Sequence, residues 1–216
     1  MLRILTSIFT IIIFSSLLIA QKQNAGVKEI AADPAPVSYG IVVDNSGSYR
    51  SLLEKIIQLT EDLVEVNKAE DETFLVTFVS SEKIVLRQDF TVRKSDIHDA
   101  AENMFIEGGL TAILDAVKFS AEHLVANARA EPGRSKVLVL LTDGDERQSD
   151  ARIDDVLKLL KDAGIRVYVV GIADGKIYPK IIDRLAKETG GAVYLPKTRV
   201  ETATAVKQLA GAIRRK

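Results

Sequence analysis

Five side chains with oxygen donors stand out in this sequence because each follows an apolar run or a glycine break. They are Asp44, Ser46, Ser48, Thr111 and Asp143. Carboxylate and hydroxyl oxygens are the ligands that hard cations such as Mg²⁺ prefer, whereas softer transition metals recruit Cys or His. The residue types therefore predict a site for one divalent cation, with Mg²⁺ as the first choice and Mn²⁺ or Ca²⁺ as alternatives.

Cysteine and histidine chemistry finds little support in the same sequence. The 216 residues include no cysteine and two histidines, His98 and His123, which fall on predicted helices away from the five oxygen donors. We expect both histidines to be surface residues, so a zinc site and a serine–histidine catalytic pair are disfavoured. The absence of cysteine also excludes a disulfide framework and a cysteine nucleophile.

The elements that must position these donors alternate between strand and helix along the chain. Apolar, β-branched runs predict strands at residues 37–43, 73–79, 83–90, 137–141, 165–172 and 192–195. Helical spacing and end signals predict helices near residues 52–64, 95–105, 111–128, 149–163, 178–189 and 201–214, the second capped by Ser95. This alternation predicts an α/β fold with a doubly wound, mostly parallel sheet and helices on both faces. The second and third strands are close enough in sequence to form an antiparallel hairpin.

Such a sheet brings two of the carboxylates together. A doubly wound sheet binds ligands beyond the carboxyl ends of its strands, at the point where the strand order reverses. If the strands at residues 37–43 and 137–141 flank that reversal, Asp44 and Asp143 emerge side by side. Gly47 is expected to allow a sharp turn that aims the serines on either side of it inward.

The order and spacing of the five donors resemble the metal ion-dependent adhesion site of von Willebrand factor type A domains, most closely in exported bacterial members. The motif segments are Asp44-x-Ser46-x-Ser48, Thr111 after two glycines, and Asp143-Gly144, within a likeness that spans residues 37–214. The resemblance implies a six-stranded sheet with the strand at residues 83–90 as its antiparallel edge. It also implies that the three hydroxyls contact the metal, that the two carboxylates bind it directly or through water, and that a partner's carboxylate completes the octahedron.

Residues next to the motif carry their own expectations. Tyr49 has a bulky ring directly after the motif, and we expect it to restrict or contribute to the partner surface. Asp145 and Glu146 are expected to form an exposed acidic rim rather than further ligands. Asp115 lies one helical turn beyond Thr111 and should favour the helix N-terminus electrostatically.

The predicted function is metal-dependent protein binding, in adhesion or in assembly of an envelope complex, with a partner that supplies an Asp or Glu. No catalytic residue is predicted. One alternative is a Mg²⁺-dependent phosphoryl hydrolase with Asp44 as nucleophile and Asp143 holding the ion. In haloacid dehalogenase-like phosphatases a general-acid aspartate stands where this chain has Ser46, and Lys118 and Lys136 have no clear claim to the phosphate-binding role. The other alternative is a scaffold with a vestigial site, whose aspartates are turn residues and whose hydroxyls cap helices.

The N-terminus predicts export from the cytoplasm. A basic start, the uncharged and mostly apolar residues 4–19, and Ala20 before a polar stretch predict a signal peptide over residues 1–20. An uncleaved membrane anchor is the alternative, and it is the one membrane contact expected. Residues 21–36 are interpreted as a linker and residues 37–216 as the domain. With 29 basic and 30 acidic residues the net charge is -1, so nucleic acid is not an expected partner. The basic residues 214–216 are interpreted as solvated.

Overall fold

The computed structural model describes residues 35–215. The predicted leader at residues 1–20, the predicted linker up to residue 34, and residue 216 lie outside the described residues. The described strands are β1 (Val37–Asp44), β2 (Glu72–Phe78), β3 (Ile84–Thr91), β4 (Ser135–Thr142), β5 (Ile165–Gly171) and β6 (Val193–Tyr194). The described α-helices are α1 (Leu53–Glu65), α2 (Lys94–Glu102), α3 (Ile113–Asn127), α4 (Ile153–Asp162), α5 (Pro179–Glu188) and α6 (Arg199–Ala212), and a short 3₁₀ turn covers Gly47–Tyr49. Among these described helices, none has the length and apolar character to cross a membrane.

The strands form a six-stranded sheet in the order β3-β2-β1-β4-β5-β6. Strand β1 pairs in parallel with both β2 and β4, and the pairs β4–β5 and β5–β6 are also parallel. Strand β3 is the antiparallel edge and forms a hairpin with β2. The described strands therefore run from β1 in the middle of the sheet to β3 at one edge and then return to β4 on the other side of β1, so that the strand order reverses between β1 and β4. The predicted doubly wound fold is confirmed.

Two hydrophobic clusters cover the two faces of the sheet. On one face α1, α2 and α6 pack over Ile41 and Val43 of β1. On the other face α3, α4 and α5 pack over Val42 of β1 and Val76 of β2. Successive side chains of a strand lie on opposite faces, so β1 contributes to both clusters. All of β1 is buried, as expected at the centre of a parallel sheet, and its end is therefore held rigidly.

The start of α4 lies further along the chain than predicted. The helix begins at Ile153 rather than near residue 149, because the preceding segment binds the first turn of α3 instead. The carboxylate of Asp115 accepts hydrogen bonds from the backbone N–H groups of Asp150 (2.9 Å) and Ala151 (2.8 Å). Burial opposes ionisation of Asp115, yet these bonds and one from Ser81 hold its pKa below the usual value. Asp115 therefore joins two loops in addition to any effect on the dipole of its own helix.

The predicted cap of α2 is also wrong. This helix begins at Lys94, so Ser95 lies inside the helix rather than at its N-cap. The start is held instead by Thr91, whose hydroxyl accepts from the backbone N–H of Arg93 (3.0 Å) and donates to Asp96 (2.6 Å). A residue at the end of β3 therefore determines where the next helix begins.

Candidate metal centre at the strand ends

Asp44 lies at the last position of β1, at the point where the strand order reverses. Its side chain is fully buried. The backbone N–H of Ser46 donates to its Oδ1 (3.0 Å), and the hydroxyl of Thr142, the last residue of β4, donates to its Oδ2 (3.0 Å). Each carboxylate oxygen thus has one fixed donor, so the orientation of the side chain is determined by β1 and β4 together.

The electrostatic environment of Asp44 disfavours an uncompensated charge. The pKa of this carboxyl is raised from its usual value to about 7, chiefly by burial; hydrogen bonds from Ser46 and Thr142 oppose the rise, and the nearby charge of Asp143 adds to it. Burial in low dielectric penalises the charged form of an acid, and a second carboxylate adds to the penalty. A divalent cation bound beside Asp44 would remove both penalties, because it stabilises the deprotonated forms of its ligands.

Ser46 and Ser48 lie on the turn that directly follows β1. Their hydroxyl oxygens are 3.2 Å apart; Ser46 is buried and Ser48 is exposed. Neither hydroxyl caps a helix, since the N-cap position of the 3₁₀ turn makes no side-chain cap bond and the N-cap position of α1 is Leu52. The alternative in which these serines serve only as helix caps is therefore wrong.

Thr111 is held beside the loop that follows Asp143. The backbone carbonyl of Thr111 accepts from the N–H groups of Arg147 (2.9 Å) and Gln148 (3.1 Å), and the next residue, Ala112, donates to the carbonyl of Val79 after β2 (3.1 Å). The loop bearing Thr111 is thus fixed on one side to the end of β2 and on the other to the segment after β4. Thr111 itself is buried.

The hydroxyl of Thr111 is not needed at the start of α3. This helix begins at Ile113 and has no side-chain cap from its own N-cap residue. The backbone N–H of Leu114 is instead bound by the carboxylate of Glu146 (3.0 Å) and the hydroxyl of Ser149 (3.0 Å). A distant loop thus satisfies the first turn of the helix, so the capping interpretation of Thr111 is wrong as well.

Asp143 emerges one residue beyond β4, where three hydrogen bonds fix its turn. Its Oδ1 accepts from the backbone N–H of Asp145 (3.0 Å), its carbonyl accepts from the N–H of Tyr178 (2.7 Å), and the N–H of Gly144 donates to the hydroxyl of Thr142 (3.1 Å). Burial raises the pKa of Asp143, the bond from the Asp145 N–H lowers it, and the charge of Asp145 raises it again. Asp143 is half-buried, so its side chain is partly accessible to solvent.

The chemistry of this donor set fits a hard cation. Within residues 35–215 no group of three or more His, Cys, Asp or Glu side chains is placed to hold a metal ion. A cation at this position would be held by two carboxylates and neighbouring hydroxyls. Mg²⁺ commonly binds through one or two carboxylates and keeps several other positions for water or ligand oxygens.

Two expectations about neighbouring residues are corrected by the packing. Tyr49 is buried rather than exposed on a partner surface, and its hydroxyl donates to the carbonyl of Ile172 (3.1 Å). Burial, and then the charges of Asp44 and Asp143, raise the pKa of its phenol. Glu146 is not part of an acidic rim, because it binds the first turn of α3.

The predicted rim and the histidines also differ from expectation in detail. Asp145 forms an ion pair with Arg147 (2.5 Å), so its charge is compensated rather than free. His98 lies beside Glu65 (3.1 Å) and His123 beside Asp89 (2.9 Å). The ring of His123 stacks on Phe90 and its side chain is 12% exposed, so it is largely buried rather than on the surface.

Two residues that support the site were not singled out from the sequence. Thr142 binds the Asp44 carboxylate, and its position directly before Asp143 was the only local signal for it. Asn45 anchors the loop before Thr111: its side-chain amide donates to the carbonyl of Phe105 (2.9 Å), and its own carbonyl accepts from the N–H of Glu107 (2.9 Å). The spacing of the motif contains no signal for this contact, because the two segments are far apart in sequence.

Replacing Tyr49 by phenylalanine should lower the free energy of unfolding by about 1–2 kcal/mol, because the Ile172 carbonyl loses its buried donor. Since the phenol is buried, Mg²⁺ affinity should stay within about threefold of the parent value. Urea unfolding and calorimetric Mg²⁺ titration measure the two quantities. If the variant kept its stability but lost partner binding, Tyr49 would have to contact the partner.

Comparison with known proteins gives a family match over most of the domain. The family model of the von Willebrand factor type A domain matches residues 40–210. The collagen alpha-6(VI) chain of Mus musculus is 27% identical over 140 residues, which are 61% of this chain and 6% of that protein. The chain therefore spans a small part of the length of that relative.

Solved structures share the fold at low sequence identity. A von Willebrand factor type A structure from Catenulispora acidiphila has a TM-score of 0.69 and 18% identity, covering 82% of this chain and 42% of that chain. An aerotolerance-related membrane protein from Bacteroides fragilis NCTC 9343, with multiple mutations to serines, has a TM-score of 0.67 and 20% identity, covering 82% of this chain and 98% of that chain. At these identities the likeness concerns the fold.

Proposed function

Because this chain belongs to the von Willebrand factor type A domain family, we propose that it holds one divalent cation at the ends of β1 and β4 and uses it to bind an acidic side chain of a protein partner. Domains of this family commonly mediate protein–protein interaction and metal-dependent adhesion. The observation that carries the proposal is the buried Asp44 carboxylate, whose pKa is raised to about 7 beside a second carboxylate and hydroxyls that cap no helix.

Each donor has a distinct role in this proposal. Asp44 and Asp143 neutralise the cation, and Ser46, Ser48 and Thr111 supply neutral oxygens. Hydroxyl ligands donate little charge, so a bound Mg²⁺, or Mn²⁺ or Ca²⁺ in its place, keeps its attraction for a carboxylate from outside. The buried hydrogen bonds of Asp44 keep that ligand in place while the partner side chain arrives at the open end of the sheet.

Recognition fits the site better than phosphoryl hydrolysis. An aspartyl-phosphate mechanism needs an accessible nucleophile, whereas Asp44 is fully buried and hydrogen-bonded through both oxygens. Lys136, one of the two lysines considered for phosphate binding, lies at the start of β4, at the end of the sheet opposite Asp143. The vestigial-site alternative is disfavoured because the serine and threonine hydroxyls have no capping role that would explain them.

We also propose that the domain is exported. Residues 1–20 serve as a signal peptide or membrane anchor, residues 21–36 as a linker, and residues 37–216 as the domain that acts outside the cytoplasm. One similar structure is that of a membrane protein, which supports a location at the cell envelope.

The test is a calorimetric titration of residues 21–216 with Mg²⁺, Mn²⁺ and Ca²⁺, followed by acetate as a minimal carboxylate. We expect about one ion to bind per chain, with an affinity that Ser46→Ala lowers. In NMR spectra, acetate should shift the backbone amide signals near Asp145 only when the metal is present. Metal-free protein in a chelator is the control. The proposal would be contradicted if no ion bound even at high metal concentration, or if the acetate-induced shifts persisted in the chelator.

Mg²⁺ affinity should weaken by about tenfold for each pH unit below about 7, because a protonated Asp44 must lose its proton to bind metal. The folded pKa of about 7 lies above the usual 3.8. The protonated form of Asp44 therefore stabilises the folded state. This contribution to metal-free stability is lost as pH rises through about 7. Calorimetry at several pH values measures the first effect, and urea unfolding in a chelator measures the second. An affinity that does not change with pH would contradict the assignment of Asp44 as a ligand.

A further inference from the structure

A basic cleft lies at the end of the sheet opposite the candidate metal centre. We use this name for a cleft of about 360 Å³ at the amino ends of β4 and β5, whose charged lining residues are Arg134, Lys136, Arg166 and Arg215. The other lining residues are a serine, an alanine and a glycine. The cleft thus has four cationic side chains and no acidic one in its lining, although the whole chain has a net charge of -1.

Most of this charge is not compensated by carboxylates. Arg134 pairs with Glu131 (2.6 Å). Arg166 instead donates to the carbonyl of Ile213 at the end of α6 (2.8 Å), which fixes its guanidinium but leaves its charge in place. Within residues 35–215 no carboxylate pairs with Arg166, Lys136 or Arg215. Cations that share a cleft without acidic partners repel each other, and an anion bound among them removes that repulsion.

The chain leaves the domain at this same end. The backbone N–H of Ser135, at the start of β4 and in the lining of the cleft, donates to the carbonyl of Pro36 (3.1 Å). The residues before position 36 include the uncharged apolar run of residues 4–19, which is proposed above as a signal peptide or membrane anchor, and the inference below rests on that proposal. If retained, its end at residue 20 is joined to residue 36 by a linker that spans at most about 55 Å when extended.

We propose that the basic cleft binds the phosphate groups of anionic phospholipids in the membrane to which the N-terminal segment brings the chain. Lys and Arg side chains near an anionic membrane each increase binding about fivefold, and arginine pairs well with phosphate oxygens. The candidate metal centre lies at the carboxyl ends of the strands, about 25 Å away along β4. Docking through the cleft therefore directs the metal end away from the lipid and toward partners.

The test is co-sedimentation of residues 21–216 with vesicles of phosphatidylcholine, alone or mixed with phosphatidylglycerol, in a chelator at low salt. Both hydrophobic clusters are formed by residues between Val37 and Ile213, so this piece contains the described core. We expect binding to the mixed vesicles only, with a steep loss as salt is added. The chelator removes any contribution of the metal centre, so this test and that of the proposed function fail independently.

Two matched double substitutions distinguish binding at the cleft from a general effect of net charge. Lys136→Gln with Arg215→Gln should weaken vesicle binding about 25-fold, whereas Lys176→Gln with Lys180→Gln changes the net charge equally at the other end of the sheet and should leave it unchanged. Equal losses in both pairs, or no binding to the mixed vesicles, would overturn the proposal. Calorimetry with inorganic phosphate completes the test. If free phosphate bound but vesicles did not, the ligand of the cleft would be a soluble phosphate compound, and the phospholipid proposal would be overturned.

Discussion

Replacing Asp44 by asparagine should weaken Mg²⁺ binding by more than about 100-fold while the metal-free protein becomes more stable. The side chain keeps its shape: the amide oxygen accepts from the Ser46 N–H, and the amide nitrogen donates to the Thr142 hydroxyl, where the parent carboxylate accepted from it. A metal ligand is lost, and even residues that only orient ligands contribute 10–100-fold in affinity. At about pH 8 the parent carries a buried charge that asparagine lacks, so the free energy of unfolding in a chelator should rise by about 1–3 kcal/mol.

A fall in Mg²⁺ affinity together with a rise in metal-free stability distinguishes a metal ligand from a residue with only a structural role. Calorimetric Mg²⁺ titration measures the affinity, and urea unfolding in the presence of a chelator measures the stability. Asp145→Asn is the matched control, because this nearby carboxylate is paired with Arg147 and is not assigned to the metal. We expect the control to change Mg²⁺ affinity by less than about threefold. If Asp44→Asn bound Mg²⁺ as the parent does, the metal centre would have to lie elsewhere.

Replacing Gly144 by alanine should lower the free energy of unfolding by about 3 kcal/mol or more. The backbone of Gly144 has a φ of +84°, a left-handed conformation that costs other residues about 1–2 kcal/mol. A Cβ atom here would also lie 2.2 Å from the backbone carbonyl oxygen of Tyr178. That carbonyl belongs to the residue whose N–H binds Asp143, so relief of the clash must displace the turn that positions the second carboxylate. Mg²⁺ affinity should fall together with stability.

Gly164→Ala provides the control for this prediction. Gly164 also has a left-handed φ of +66°, but a Cβ added there meets no atom within 4 Å. Its substitution should cost about 1 kcal/mol through conformation alone. Urea unfolding of both variants and calorimetric Mg²⁺ titration measure the difference. Equal losses of stability in the two variants would mean that close packing at Gly144 contributes nothing.

The fold could be predicted from the sequence because its signals are local. The apolar runs that become β1 and β4 are long enough to identify central strands, and Asp44 and Asp143 follow them directly. Once strands and helices alternate, a parallel sheet must place the ends of its strands along one edge. The short connection between the second and third strands predicted their antiparallel pairing, and the family resemblance supplied the position of β3 at the edge of the sheet. The metal assignment itself stays a prediction.

The supporting contacts of the site could not be predicted, because they join segments far apart in sequence. Glu146 and Ser149 bind the first turn of α3, so Thr111 is not its cap. Asp115 binds the segment before Ile153, so α4 begins later than predicted. Gly47, expected to need its conformational freedom, has neither a left-handed φ nor an atom within 4 Å of an added Cβ, whereas Gly144 has both. Sequence spacing identifies a turn, but only the packing around it shows which glycine is required.

Residue types within a few positions of one another were enough to predict the strands, their order along the chain and the oxygen character of the donors. The burial of Tyr49, the hydrogen bond by which Thr142 orients Asp44, and the cleft shared by Arg215, Lys136 and Arg166 became visible only in the folded domain. The reason is physical: burial and charge pairing depend on which surfaces meet after the chain has folded, and residues that meet across the sheet carry no shared local pattern.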